Sequence, residues 1–319
     1  MSIEVLAPGP LTTVQDLGRR GHRHVGVPLA GALDPGAAMV ANWLVGNDGG
    51  AALLEFTLAG PALRFDRPAR MALTGATAEA WFTASDGTRD RVPHGRPVTL
   101  PAGDLQVSGI RSGARGLLAV GGGVDVPVVL GSRATDLRGG FGGMHGRALR
   151  RGDRLALLDP PPLDVAATTA PGWWVDPHAR EPHAAPIRFV PAPGTDRALL
   201  RGFSSGYWHV ATDSNRQGVR LQGHALGSPA AAGASAPVAP GTIQLPPDGQ
   251  PIVLLADAQT MGGYQRLGHV ASTDLHRLAQ AAPGTTLRFR PCTASHARRL
   301  AAAASARLAR LRLALETRP

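Results

Sequence analysis

Short apolar runs, each closed within a few residues by glycine, proline or aspartate, limit most strongly what this chain can fold into. In "LLEFTLAGPALRF", Leu54, Phe56 and Leu58 alternate, Gly60-Pro61 interrupts, and Leu63 and Phe65 resume. Alternation places one side of a strand in a core, and the Gly-Pro pair turns the chain. "MALTG", "PVTL", "LLAVGGG" and "LALL" repeat that rhythm. With 41 glycines and 28 prolines and few long periodic segments, the chain reads as mainly β, a barrel or sandwich.

At 319 residues the chain exceeds what one core usually holds, so two domains are expected. The Pro/Ala-rich stretch 159–186 is the natural connection. It gives an N-terminal domain over 1–165, a connection over 166–186 and a C-terminal domain over 187–319. Trp173 and Trp174 are expected to pack the connection onto a domain surface. Three helices interrupt the strands. The first is "LDPGAAMVANWLVG", capped by Asp34, with Pro35 at its first position and Gly46 as its stop. "STDLHRLAQAAPG" carries Ser272 or Thr273 as its cap. The terminal "ASHARRLAAAASARLARLRLALETRP" has a stripe of Leu300, Ala304, Leu308, Leu311 and Leu315 among arginines, fit to dock on the body or a neighbour. "GHRHVGVPLAGALD" and "GYWHVATDSNRQGVRLQG" are alike enough to raise an internal duplication.

The net charge of +10 is carried by arginine alone, with no lysine anywhere. That excludes a lysine-bearing P-loop, a Schiff base and covalently attached biotin. Nucleic acid is not the expected partner, because the arginines are scattered and aromatics make up only 4% of residues. Cys292 is alone, which fits a reducing compartment. The N-terminus does not read as a signal peptide and no apolar run is long enough to span a bilayer, so a cytoplasmic location away from the membrane is expected. His22 and His24 in "GHRH" would share one side of a strand, but no third ligand accompanies them and no metal site is expected. "LRGGFGGMHGR" lacks the lysine of a phosphate cradle and reads as a flexible loop.

Polar residues gather in four stretches. "TTVQDLGRRG" sets Gln15, Asp16 and Arg19 beside glycines, where an Asp and an Arg can clamp a carboxylate or form a surface ion pair. Glu55 stands in an apolar strand and reads as a structural ion-pair member ahead of an acid or base. "DSNRQG" puts Ser214, Asn215 and Arg216 on one turn, and a guanidinium suits bidentate contact with carboxylate or phosphate. Finally, "PGTIQLPPDGQPIVLLADAQTMGGYQ" carries Gln244 on a strand, then Asp257, Thr260, Gly262, Gly263 and Tyr264 after a second strand. The double glycine there would let backbone N–H groups form a nest for an anion.

Taken together, "TVQDLGRRGHRHVGVPLAGALD", "VANWLVGND", "LEFTLAGPALRF", "SNRQGVRLQG", "GTIQLPPDGQPIVLLADAQTMGGY" and "DLHRLAQAAPG" resemble the family that unites the 5-oxoprolinase C subunit with the biotin-dependent carboxyltransferases. That family also takes in allophanate hydrolase subunit 2 and the urea carboxylase-type carboxyltransferase domain. The resemblance implies two cyclophilin-like β-barrel domains with a few short helices, here followed by a C-terminal helix. It implies one component of a complex, inactive alone, that works with a B subunit of related cyclophilin-like fold and a large A subunit on an amide or lactam. ATP with Mg²⁺ would act at the level of that complex, and any biotin would sit on another chain. Three activities fall within its reach. They are ATP-dependent opening of 5-oxo-L-proline to glutamate, carboxyl transfer from carboxybiotin to urea or a related amide, and a regulatory role like that of a relative antagonising a sporulation-kinase inhibitor. On this resemblance Arg216, Asn215, Gln244 and Asp257 are the catalytic candidates. Ser214, Thr260, Gly262, Gly263, Tyr264, Gln15, Asp16 and Arg19 are the substrate-binding ones. Gln217 stands where the family pattern has Met, and "TMGGYQ" where it has "TTGGYP".

Overall fold

A computed structural model describes residues 2–178, 185–227 and 234–317, so part of the expected connection, 179–184, lies outside the described residues. The chain is mostly β and forms two compact units. One comprises Met1–Arg19, Ala30–Ala179 and Leu311–Pro319; the other comprises Arg20–Leu29 and Arg180–Arg310.

The first unit contains β1 (Ser2–Ala7), β2 (Thr12–Gln15), α1 (Pro35–Leu44), β3 (Leu53–Thr57), β4 (Ala62–Phe65), β5 (Ala69–Ala84), β6 (Arg89–Arg91), β7 (Val98–Leu100), β8 (Gly103–Val120), β9 (Val124–Asp125) and β10 (Arg154–Leu157). Its barrel-like sheet runs β2-β3-β8-β4-β1-β10-β9, with β5 pairing β6, β7 and β8. Two long strands make this possible. β8 pairs β4 through its first half and β3 through its second, and β5 follows it across three register shifts. Bulges of that kind bend and twist a strand, so one core collects Ile3, Val14, Phe56, Leu73, Phe82 and Leu118. Gly116 lies opposite Phe56, whose ring occupies the space a side chain would need. α1 follows expectation: the Asp34 carboxylate accepts from Ala37 N at 3.0 Å and Pro35 opens the helix.

Backbone groups hold the connection at three points, and Trp173 within it is half-buried. Thr169 bridges Thr99, Arg96 donates to Pro171 O at 2.8 Å, and Val175 N donates to Gly95 O at 2.7 Å. His178 Nε2 stands 3.1 Å from both Asp34 oxygens. Trp174 remains 60% exposed, so the expected packing does not extend to it.

The second unit contains β11 (Ile187–Pro191), α2 (Arg197–Ser205), β12 (Trp208–Val210), β13 (Gly218–Gln222), β14 (Ala236–Pro237), β15 (Thr242–Leu245), β16 (Ile252–Leu254), β17 (Met261–Gly262), β18 (Gln265–Val270), α3 (Leu275–Ala279), β19 (Thr286–Leu287), β20 (Phe289–Pro291) and α4 (Ala294–Glu316). Its main sheet runs β19-β12-β13-β16-β15-β18-β11-β20, and β14 pairs β17 apart from it. Helix α2 is absent from the sequence reading. It is a nine-residue helix capped by Asp196, which accepts from Ala198 N and Leu199 N, and it buries only Phe203. That ring lies 5.3 Å from Phe189, 5.5 Å from Trp208 and 4.6 Å from Phe289, centroid to centroid.

Two expectations change here, and a third is met. Arg23–Val25 is a 3-10 turn rather than a strand, so "GHRHV" and "GYWHV" do not match as copies. Neither Ser272 nor Thr273 caps α3. Asp274 is instead fully buried and binds Arg188 through its backbone N at 2.7 Å and its guanidinium. On α4 the anticipated stripe is the half-buried side, and no residue of the helix is fully buried.

His94 gives the first unit a pH dependence. Burial pulls its imidazole from the ordinary 6.5 down to about 4, and its Nε2 accepts from Ala78 N at 3.3 Å. The unfolded chain therefore takes up this proton near pH 6.5, while the folded chain resists until about pH 4. Stability from this group is complete above pH 6.5 and is lost as the pH falls toward 4, by about 3 kcal/mol. His94→Asn is expected to flatten that part of the profile, read as urea midpoints of both chains at pH 7.5 and pH 4.5.

Candidate functional site

The turn before β13 satisfies its own backbone. Asn215 Oδ1 accepts from Gln217 N at 2.8 Å, and Ser214 Oγ accepts from Arg220 N at 3.0 Å. Arg216 turns inward from this turn. Its Nε donates to Asp257 Oδ2 at 2.9 Å and its Nη2 to Oδ1 at 3.0 Å, with side chains only 4% and 5% exposed. Backbone bonds run beside the pair, from Asp257 N to Arg216 O and from Leu255 N to Gln217 O. Two catalytic candidates are thus brought together, and the guanidinium fork faces a carboxylate of the same chain. A two-point contact of this kind fixes orientation as well as charge.

Beyond Asp257 the chain enters β17, where Met261 pairs Pro237 and Gly262 pairs Ala236. Neither Gly262 nor Gly263 adopts a left-handed backbone, so the expected nest, which alternates right- and left-handed residues, is not what the double glycine makes. Gly262 is bare for a steric reason: a Cβ there would lie 2.5 Å from Gln244 Nε2 and 3.6 Å from Val238 Cγ1. Gln244 itself is 1% exposed, and its Nε2 has no hydrogen-bond partner. A buried amide without a partner is costly, about 1–3 kcal/mol, and such atoms mark places where a ligand oxygen or water belongs.

Arg23 reaches the same ribbon from the 3-10 turn. Its Nη2 donates to Val238 O, while its Nη1 is buried without a hydrogen-bond partner. Burial lowers its pKa. Two unpartnered donors, one amide and one guanidinium, therefore bear on the β14–β17 ribbon. Thr260 is buried, with its carbonyl accepting from Val238 N, while Tyr264 is 44% exposed. Gln265, next in the chain, has a buried Oε1 without a partner and lines a groove of about 680 Å³ with Thr242, Arg266, His269 and Thr195. His269 is held below its ordinary pKa by burial, and Arg266 is braced on Pro237 O at 3.2 Å.

Gln15, Asp16 and Arg19 belong to the first unit and hold a loop there. Asp16 accepts from Gly18 N, Ser132 Oγ and Arg133 N. Arg19, fully buried, donates to Val129 O and Ala134 O and lies over the Phe141 ring. Gln15 Nε2 donates to Thr13 and to Thr135 O. "LRGGFGGMHGR" is consequently not an open flexible loop. A side chain at Gly142 would strike Arg19, and one at Gly143 would strike Thr135. Glu55 is buried and accepts from Leu33 N at 2.8 Å, a structural role. Among the described residues no three His, Cys, Asp or Glu side chains converge as metal ligands, and no helix is long and apolar enough to cross a membrane.

The carboxyltransferase domain family, subdomains A and B, matches residues 25–291. The chain belongs to that family. Among relatives of this carboxyltransferase domain, the C subunit of 5-oxoprolinase from Escherichia coli is 37% identical over 302 residues, which cover 92% of this chain and 93% of that one. Urea amidolyase of Lachancea kluyveri is 31% identical over 330 residues, covering 94% of this chain but 17% of its own length. The solved Kluyveromyces lactis urea carboxylase superposes with a TM-score of 0.82 at 30% identity, over 96% of this chain and 29% of that one. Arg23 was missed in the sequence because "GHRH" drew notice for its histidines. The usable signal was an arginine in a short turn between Gly21 and Gly26, both left-handed.

Two substitutions test this site. Arg216→Met leaves the Asp257 carboxylate buried without its guanidinium and is expected to cost about 3–5 kcal/mol, whereas Arg216→Met with Asp257→Leu costs much less. Gly262→Ala is expected to cost about 1–3 kcal/mol through overpacking against Gln244, and adding Gln244→Ala recovers most of it. Urea midpoints of the single and double variants supply both comparisons.

Proposed function

We propose that this chain is the C subunit of an ATP-dependent 5-oxoprolinase, opening 5-oxo-L-proline to L-glutamate together with A and B subunits. One observation carries the reading: the chain is 37% identical to the Escherichia coli 5-oxoprolinase C subunit over 302 residues that span 93% of that protein, against 31% for the Lachancea kluyveri urea amidolyase.

The site chemistry supports it. A lactam carbonyl gains negative charge on oxygen as it is activated, and preorganised donors in a water-poor setting stabilise that charge. Gln244 Nε2 and Arg23 Nη1 are buried donors without partners, suited to a carbonyl or carboxylate oxygen. Arg216 and Asp257 hold the segment that runs on to Gly262, which packs against Gln244, and act as positioning residues. ATP with Mg²⁺ works at the level of the assembled complex. With no lysine and no convergent metal ligands among the described residues, this chain contributes arginine and amide donors.

The test is glutamate release from 5-oxo-L-proline and ATP by the chain co-purified with its A and B subunits. Activity is expected to disappear when this chain is omitted. It is expected to fall about 100-fold in Gln244→Ala while the complex still assembles. A well-formed complex that instead carboxylates urea from carboxybiotin, or that releases glutamate equally well without this chain, overturns the reading.

A further inference from the structure

The groove of about 680 Å³ on the second unit carries one lasting charge. Arg266 and His269 are the basic residues that line it, and no Asp or Glu does. His269 is held below its ordinary pKa, so Arg266 supplies the cation at neutral pH. No carboxylate of the described residues forms an ion pair with Arg266. Its Nη1 donates to Pro237 O at 3.2 Å, and the rest of the guanidinium fork is open to a ligand. Gln265 Oε1, in the same groove, is buried without a partner. That oxygen is an acceptor and lacks a donor, which a lactam N–H or a water supplies.

Arg266 also stands beside the buried amide of the candidate site. β15 and β18 are antiparallel, and Gln244 pairs Arg266 in their register. Side chains directly opposed in such a pair point to one face, with Cβ atoms roughly 4.5–5.5 Å apart. Both reach the same ribbon: Gln244 lies against Gly262 of β17, and Arg266 bonds Pro237 of β14. A ligand oxygen on Gln244 Nε2 therefore has a guanidinium within the span of a small molecule.

We propose that Arg266 binds the carboxylate of the substrate and so selects 5-oxo-L-proline over amides and lactams that lack one. The inference rests on the 5-oxoprolinase reading and adds to it a residue that sets specificity. In 5-oxo-L-proline the carboxylate sits on the ring carbon beside the lactam nitrogen, a few ångströms from the lactam oxygen. With that oxygen on Gln244, the carboxylate falls to the neighbouring side chain. A guanidinium fork takes a carboxylate at two points, which orients the ring as well as holding it. Urea offers no carboxylate, so the same contact separates the two substrates within the family's reach.

The experiment measures glutamate release from 5-oxo-L-proline and ATP by the chain co-purified with its A and B subunits. Competitive inhibition by 5-oxo-L-prolinamide, whose carboxylate is replaced by an uncharged amide, is measured beside it. Arg266→Gln is expected to raise KM for 5-oxo-L-proline about tenfold while shifting inhibition by the prolinamide less than about twofold. Arg266→Lys, which keeps the charge and loses the fork, is expected to recover part of the loss. An unchanged KM in Arg266→Gln overturns the inference. So does an equal weakening of acid and amide, which marks Arg266 as a brace for the ribbon alone. Both of those results leave the 5-oxoprolinase reading standing, whereas no glutamate release from the wild-type complex overturns that reading and this inference with it.

Discussion

The buried pair of Arg216 and Asp257 is the interaction on which the candidate site depends. It joins the turn before β13 to the segment after β16 at two points, and flanking backbone bonds carry the same link. Removing two charges from water is expensive, and only mutual neutralisation with good geometry offsets it. A buried ion pair is therefore a poor source of stability and a good source of placement. What it places is the run from Asp257 to Tyr264, the part of the chain that must pass close to Gln244.

Placement has a second consequence in the ribbon of β14 and β17. Gly262 is bare so that the Gln244 amide can lie against the backbone, and that amide is left without an acceptor. Arg23 arrives from a distant part of the sequence and leaves a guanidinium nitrogen in the same condition. Unmade hydrogen bonds at buried donors work against folding. Their persistence together at the β14–β17 ribbon is the physical case for a ligand that carries oxygen. A carbonyl or carboxylate supplies the missing acceptors, which a hydrocarbon or a cation cannot do.

Much of this was legible in the sequence. Alternating runs between Gly and Pro pointed to the mainly β architecture, and Asp34-Pro35 marked the start of α1. The α4 stripe marked that helix's half-buried side because period 3.6 survives even in a weakly docked helix. What escaped depends on long-range contacts. Helix α2 is held by one phenylalanine whose partners come from β11, β12 and β20. Asp274 looked like part of a helix start, yet it serves an arginine 86 residues away. The glycines at 262 and 263 suggested an anion nest, but sequence cannot separate a glycine chosen for its φ from one chosen because a distant glutamine fills the space. Arg216 read as a cation open to a ligand because its acceptor lies 41 residues further on.

The most direct test of the account is a crystal structure of the assembled enzyme with 5-oxo-L-proline bound. The account predicts that an oxygen of the substrate lies within hydrogen-bond reach of Gln244 Nε2, with Arg23 Nη1 on the same ligand or on a water bridging to it. Substrate bound away from the β14–β17 ribbon, with Gln244 and Arg23 still without partners, would contradict it.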